Sequence, residues 1–115
     1  MNMLEVNALA NKLLATTKGQ ILSKQYLAEI EKDDNLTLTA EVISFVFDRG
    51  PSKCGFLPYF LMLYELTKYV REKCQELSSE KERINLLEYV EEGEEELHRI
   101  VNSEEELDFL LSQVY

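Results

Sequence analysis

The sequence predicts an all-α fold: a compact single-domain bundle of five to six helices, with a central helix at about 57–77. Three observations carry that reading. Apolar residues recur at three- and four-residue steps along most of the chain, the period of one helix face. Only four Gly and two Pro interrupt a chain in which 30% of residues are charged, a balance that favours helices over sheets. Two Ser-x-x-Glu patterns, at 79–82 and 103–106, have the form of capping boxes.

Taken in order, Leu4, Ala8, Leu9, Leu13 and Leu14 share a face of a first helix over 4–16, which Thr17-Lys18-Gly19 breaks. A second helix over 20–32 carries Ile21, Leu22, Tyr26, Leu27 and Ile30 and ends at Asp33-Asp34-Asn35. The stretch 36–42 reads two ways. Leu36, Leu38, Ala40 and Val42 alternate with polar residues as in a strand, whereas Thr39 before Ala-Glu-Val-Ile reads as the N-cap of a helix over 40–49. The helix is preferred for 40–49 because an isolated strand has nothing to pair with. Gly50-Pro51 stops either element.

The fourth helix has Pro58 in its first turn and runs to about Leu77. Phe56, Phe60, Leu63, Thr67, Val70, Cys74 and Leu77 form a seam of alternating four and three steps. Its first half is apolar on the flanks too, so that half is expected at the centre and the second half at the surface. A fifth helix opens at Ser79, and Leu86, Val90, Gly93, Leu97, Ile100 and Val101 keep one register through Gly93. That is either one helix or two broken at the glycine, since a mid-helix Gly costs about 1 kcal/mol relative to Ala. A short last helix follows Ser103.

The chain reads as one domain over 1–115, but its net charge of −10 is unevenly spread. Residues 1–87 hold 12 acidic and 11 basic side chains, whereas 88–115 hold ten acidic ones and a single base, Arg99. An acidic segment of this kind repels phosphate and anionic lipid, so no direct nucleic-acid contact and no membrane contact are expected. The longest apolar run, 56–63 continuing to 66, is about half of the roughly 20 residues a membrane span needs. Met1-Asn2-Met3-Leu4-Glu5 has neither the basic start nor the apolar core of a secretory leader. With two cysteines of no metal-like spacing, the expectation is a cytoplasmic protein with reduced thiols.

Chemistry finds little to stand on. Nucleophilic catalysis needs a base beside the nucleophile, and the single histidine, His98, lies in the glutamate-rich segment. Cys54 precedes the fourth helix, where a helix N-terminus can lower a thiol pKa, but it equally suits a small apolar role in a turn. Cys74 belongs to the packed seam. Glu95-Glu96-Leu97-His98 matches one Glu-x-x-His element of a di-iron bundle, which needs two such elements and two further glutamates. A calcium loop read from Asp33 fails, because its sixth and twelfth positions are Leu38 and Ser44. No phosphate loop, dinucleotide turn or Cys-x-x-Cys is present. The basic residues Lys68, Arg71, Lys73, Lys81 and Arg83 are interleaved with Glu65, Glu72, Glu76, Glu80 and Glu82, as on a solvated surface. No enzyme, cofactor or metal is expected.

Two surfaces remain for binding. One is acidic: Glu88, Glu91, Glu92, Glu94, Glu95, Glu96, Glu104, Glu105 and Asp108, with Glu106 beside them. The first-turn position of 104–106 accounts for those glutamates through the helix dipole, while 91–96 has no such reason. It reads as a docking face for a basic protein partner or as a solubilising face. An inhibitor, an immunity-type antagonist of a basic toxin, or a regulator would use it so. The other is the stripe Tyr59, Met62, Leu66 and Tyr69, which serves a helical adaptor or secretion-type chaperone, or a homodimer, if the N-terminal helices leave it uncovered.

Overall fold

The protein is described by a computed structural model covering residues 3–32, 35–50 and 55–115. Among these residues there are six helices and no strand: α1 Leu4–Leu14, α2 Thr17–Lys32, α3 Leu36–Arg49, α4 Phe56–Cys74, α5 Glu80–Val101 and α6 Glu104–Ser112. The all-α expectation holds, with six elements. None of the helices is long and apolar enough to cross a membrane.

The turn between α1 and α2 is tighter than the sequence suggests. The Thr16 hydroxyl donates to the Leu13 carbonyl (2.6 Å) and accepts the Gly19 amide (3.0 Å), so it caps a helix starting at Thr17 rather than at Gln20. Gly19 therefore lies inside the first turn of α2. A Cβ there would sit 2.0 Å from the Leu13 carbonyl oxygen, so close approach, not helix breaking, accounts for this glycine.

Residues 36–42 are helix. Asn35 supplies the N-cap, its side-chain oxygen accepting from the Leu38 amide at 3.2 Å. The expected cap, Thr39, is instead buried, and its hydroxyl donates to the Asn35 carbonyl. The strand-like alternation is resolved by what faces inward: Thr39, Ala40, Ile43 and Val46 are buried, whereas Leu38 and Val42 are exposed. Gly50, at φ +68°, terminates the helix.

α4 is the axis of the bundle, packed against α2, α3 and α5. From Phe56 to Thr67 every side chain is buried except Pro58 and Met62, which are half-buried. Beyond it only Val70 and Cys74 remain inside, so the front half is central and the back half superficial, as expected. Complete burial of large side chains such as Tyr59 and Phe60 contributes roughly 1.5–3 kcal/mol each. The N-terminus of α4 is tied to the end of the chain: the Gln113 side chain accepts from the Leu57 amide at 2.9 Å, and Phe109 meets Phe56 edge-on at 5.6 Å.

α5 continues through Gly93 as a single helix of 22 residues. A Cβ on Gly93 would lie 2.4 Å from the Thr67 methyl and 3.0 Å from a methyl of Ile43, so α3, α4 and α5 cross with no room for a side chain. Both capping serines work as read, Ser79 accepting from the Glu82 amide and Ser103 from the Glu106 amide.

Candidate functional site: the acidic α3–α5 furrow

The acidic residues of α5 separate into two groups once the helix is packed. Spacing and burial turn Leu86, Val90, Gly93, Leu97 and Ile100 inward, and the glutamates follow from that rotation. Glu94 goes in with them. It is 8% exposed and takes both Nε (3.0 Å) and Nη2 of Arg71 on its two carboxylate oxygens. This two-pronged bond, followed by Coulomb attraction, pushes the Arg71 pKa up against the opposing effect of burial. Glu96 is also engaged. Arg99 bonds it and spans to Glu106 at the start of α6 (Nη1 to Oε2, 2.6 Å), pinning the α5–α6 corner. Its hydrogen bonds to Glu106 and Glu96 raise the Arg99 pKa. Three of the acids counted toward a free face are thus spent on the fold.

The second group points to water. Glu88, Glu91, Glu92 and Glu95 are exposed and lie within an eight-residue stretch, on one outward stripe of α5. Among the described residues no base pairs with them, and the bond that reaches one comes from the Ser44 hydroxyl to Glu92 at 3.2 Å. Each pair three or four apart costs about 0.2–0.5 kcal/mol in mutual repulsion. On α6, Glu104, Glu105 and Asp108 are exposed as well, the first two in the opening turn where the helix dipole favours them.

What the acidic stripe borders is not visible in the sequence. Thr37 faces Asn85 and Tyr89, Ser44 bonds Glu92, and Phe47 and Asp48 border Glu95 and Glu96. These near-constant steps mean that α3 and α5 run parallel with a furrow between them. Its stretch from Glu82 to Arg99 is about 25 Å long at 1.5 Å per residue. Acids line it, with Asp48 adding to the α5 glutamates, and Phe47 and Tyr89 supply aromatic surface in its floor. Arg99, already bridged, is the one base among its lining residues. Sequence reasoning missed Phe47, Asp48, Ser44 and Tyr89, because their role depends on which helix lies beside α3.

The apolar stripe of α4 is largely covered. Tyr59 and Leu66 are buried, at 2% and 4% exposure, and Met62 and Tyr69 are half-buried. α2 and α3 lie over this face, and an open groove of about 660 Å³ remains between them, bordered by Tyr26, Ile30, Leu38, Val42, Met62 and Leu66. Glu65, read as part of a solvated surface, is instead 7% exposed and accepts from the Ser23 hydroxyl of α2 at 3.0 Å. One hydroxyl on α2 thus partners an acid that breaks the apolar run of α4.

The other chemical candidates gather no partners. Cys54 lies outside the described residues, as do Asp33 and Asp34. Cys74 is buried, its thiol donates to the Arg71 carbonyl, and burial pushes its pKa up, away from a reactive thiolate. His98 is half-exposed with its ring against the Asn102 amide. Among the described residues no three His, Cys, Asp or Glu side chains come together as a metal site, so the Glu95–His98 pair gains no further ligands. Comparisons with protein-family models, with curated proteins and with solved structures find no match to this chain.

Proposed function

We propose that this is a non-enzymatic binding protein that docks on a basic protein partner through the outward glutamates of α5 and the furrow they share with α3. The observation that carries this reading is the stripe Glu88, Glu91, Glu92 and Glu95. Its charges are exposed and close together, and among the described residues none of them is in an ion pair, while neighbouring Glu94, Glu96 and Glu106 all are. A solubilising surface needs no aromatic floor, whereas an interface gains most from aromatic groups ringed by charge. Phe47 and Tyr89 provide that floor. An inhibitor, an immunity-type antagonist or a regulator of a basic protein in the cytoplasm fits this chemistry.

The test is capture from the native host at low and high salt, with wild type beside a variant carrying Gln at 88, 91, 92 and 95. A basic protein retained by wild type at low salt, released by high salt and not retained by the variant is the expected result. Equal retention by the variant removes the reading.

A further inference from the structure

The outward acids of α5 border a second depression besides the furrow. This cleft, of about 1010 Å³, lies between α1, α4 and α5, and each helix lines it in a four-residue step: Asn7 and Asn11 from α1, Tyr64 and Lys68 from α4, Glu91 and Glu95 from α5. Donors and acceptors meet there. The Tyr64 hydroxyl donates to Asn7 Oδ1 at 3.3 Å, which occupies that oxygen and leaves the Asn7 amino group unpartnered among the described residues. The Asn11 carboxamide has no partner among them either. Lys68 is outside any ion pair there, its ammonium 6.0 Å from the centroid of the Tyr64 ring. Arg71, the other base of the lining, is already held by Glu94. With four acids against two bases, the lining carries a net charge of −2.

We infer that this cleft takes an extended basic segment of the partner, its peptide carbonyls on the amino groups of Asn7 and Asn11 and alternate Lys or Arg side chains on Glu91 and Glu95. The inference rests on the reading of α5 as the face for a basic partner, and it adds the form in which part of that partner is held. An occupant has to accept from Asn7, Asn11 and Lys68 while bringing positive charge to the glutamates. A basic peptide does both. A polyamine has no acceptor for the carboxamides, and a polyanion meets Glu91 and Glu95 with like charge. Spacing selects the extended form: residues four apart on a helix advance about 6 Å, and alternate residues of an extended chain about 6.6 Å. A helical segment, by contrast, has bonded its peptide groups internally and offers few to the carboxamides.

The test uses purified full-length protein and labelled peptides with blocked ends, one with lysine alternating with serine and an isomer with its lysines in one block. Titrations at low salt followed by fluorescence anisotropy are expected to show the alternating peptide binding more tightly than its isomer. Asn7→Ala with Asn11→Ala is expected to weaken that binding about tenfold, with an unchanged helical circular dichroism signal. Asn11→Ala alone, which leaves the Tyr64–Asn7 bond in place, is expected to give part of the loss. Glu91→Gln with Glu95→Gln is expected to weaken binding and flatten its salt dependence. Equal binding of the two isomers overturns the inference, as does equally tight competition by a polyamine of matching charge. Binding that ignores the asparagine variants but is lost in Glu88→Gln with Glu92→Gln overturns it and leaves the acidic furrow standing. Binding indifferent to all four glutamates overturns both readings. Absence of peptide binding overturns the inference alone, because capture from the native host reads docking of a folded basic surface separately.

Discussion

The two flanks of α5 carry the same residue type and do opposite things. On the flank toward α4, Glu94 lies beside Gly93 in the packed interior and is held by Arg71 from the neighbouring helix. On the outward flank, Glu88, Glu91, Glu92 and Glu95 form no ion pair among the described residues and repel one another. The inner flank is therefore a structural element that happens to contain an acid. The outer one is a charge layout that works against the helix bearing it. Glutamate content is thus a poor guide to an acidic face, and the rotation of the helix is the useful one.

The sharpest way to break the contrast is at Gly93. Gly93→Ala places a methyl group against Thr67 and Ile43, so its overpacking cost exceeds the helix-propensity gain of about 1 kcal/mol. A net loss of about 2 kcal/mol in urea unfolding is expected, and a stabilised variant contradicts the three-helix crossing. Next comes Arg71→Met, which leaves Glu94 without its partner. Because Arg71 is itself 42% exposed, the loss is discounted from that of a fully buried pair to about 1–2 kcal/mol. Arg71→Met combined with Glu94→Leu is expected to recover most of it, and a double variant as unstable as the single one would mean that packing, not the unpaired charge, sets the cost.

The smallest effect has the opposite sign. Gln at 88, 91 and 95 relieves repulsion on the outer flank and is expected to stabilise the fold by about 1 kcal/mol at low salt, with the gain fading as salt is added. The same variant is expected to slow association with a basic partner. A variant that is both less stable and unchanged in binding would reverse the assignment of the two flanks.

Local signals in the sequence were enough for most of the fold. Ser79 and Ser103 mark helix starts through contacts three residues away, and the α4 seam is a property of one helix alone. Thr17-Lys18-Gly19, read as a break, and Thr39, read as a cap, misplace the starts of α2 and α3 for a different reason. Several polar residues in each turn can cap, and tertiary packing chose Thr16 and Asn35 while burying Thr39. The site was half legible. Charge counting located the acidic segment, yet the partner that removes Glu94 from it lies 23 residues away, and the hydroxyl that holds Glu65 out of the solvated surface read for it lies 42 residues away. The furrow needs α3 and α5 side by side, and no periodicity within either helix shows that.

Gly93 bears on how such a chain can change over generations. Any side chain there collides with two other helices, so the position resists replacement, and by resisting it fixes which glutamates meet water. Glu88, Glu91, Glu92 and Glu95 support nothing in the interior and can be exchanged one at a time. A lineage carrying this fold can therefore vary the charge of its outer face through surface substitutions, with the framework held constant by a missing side chain.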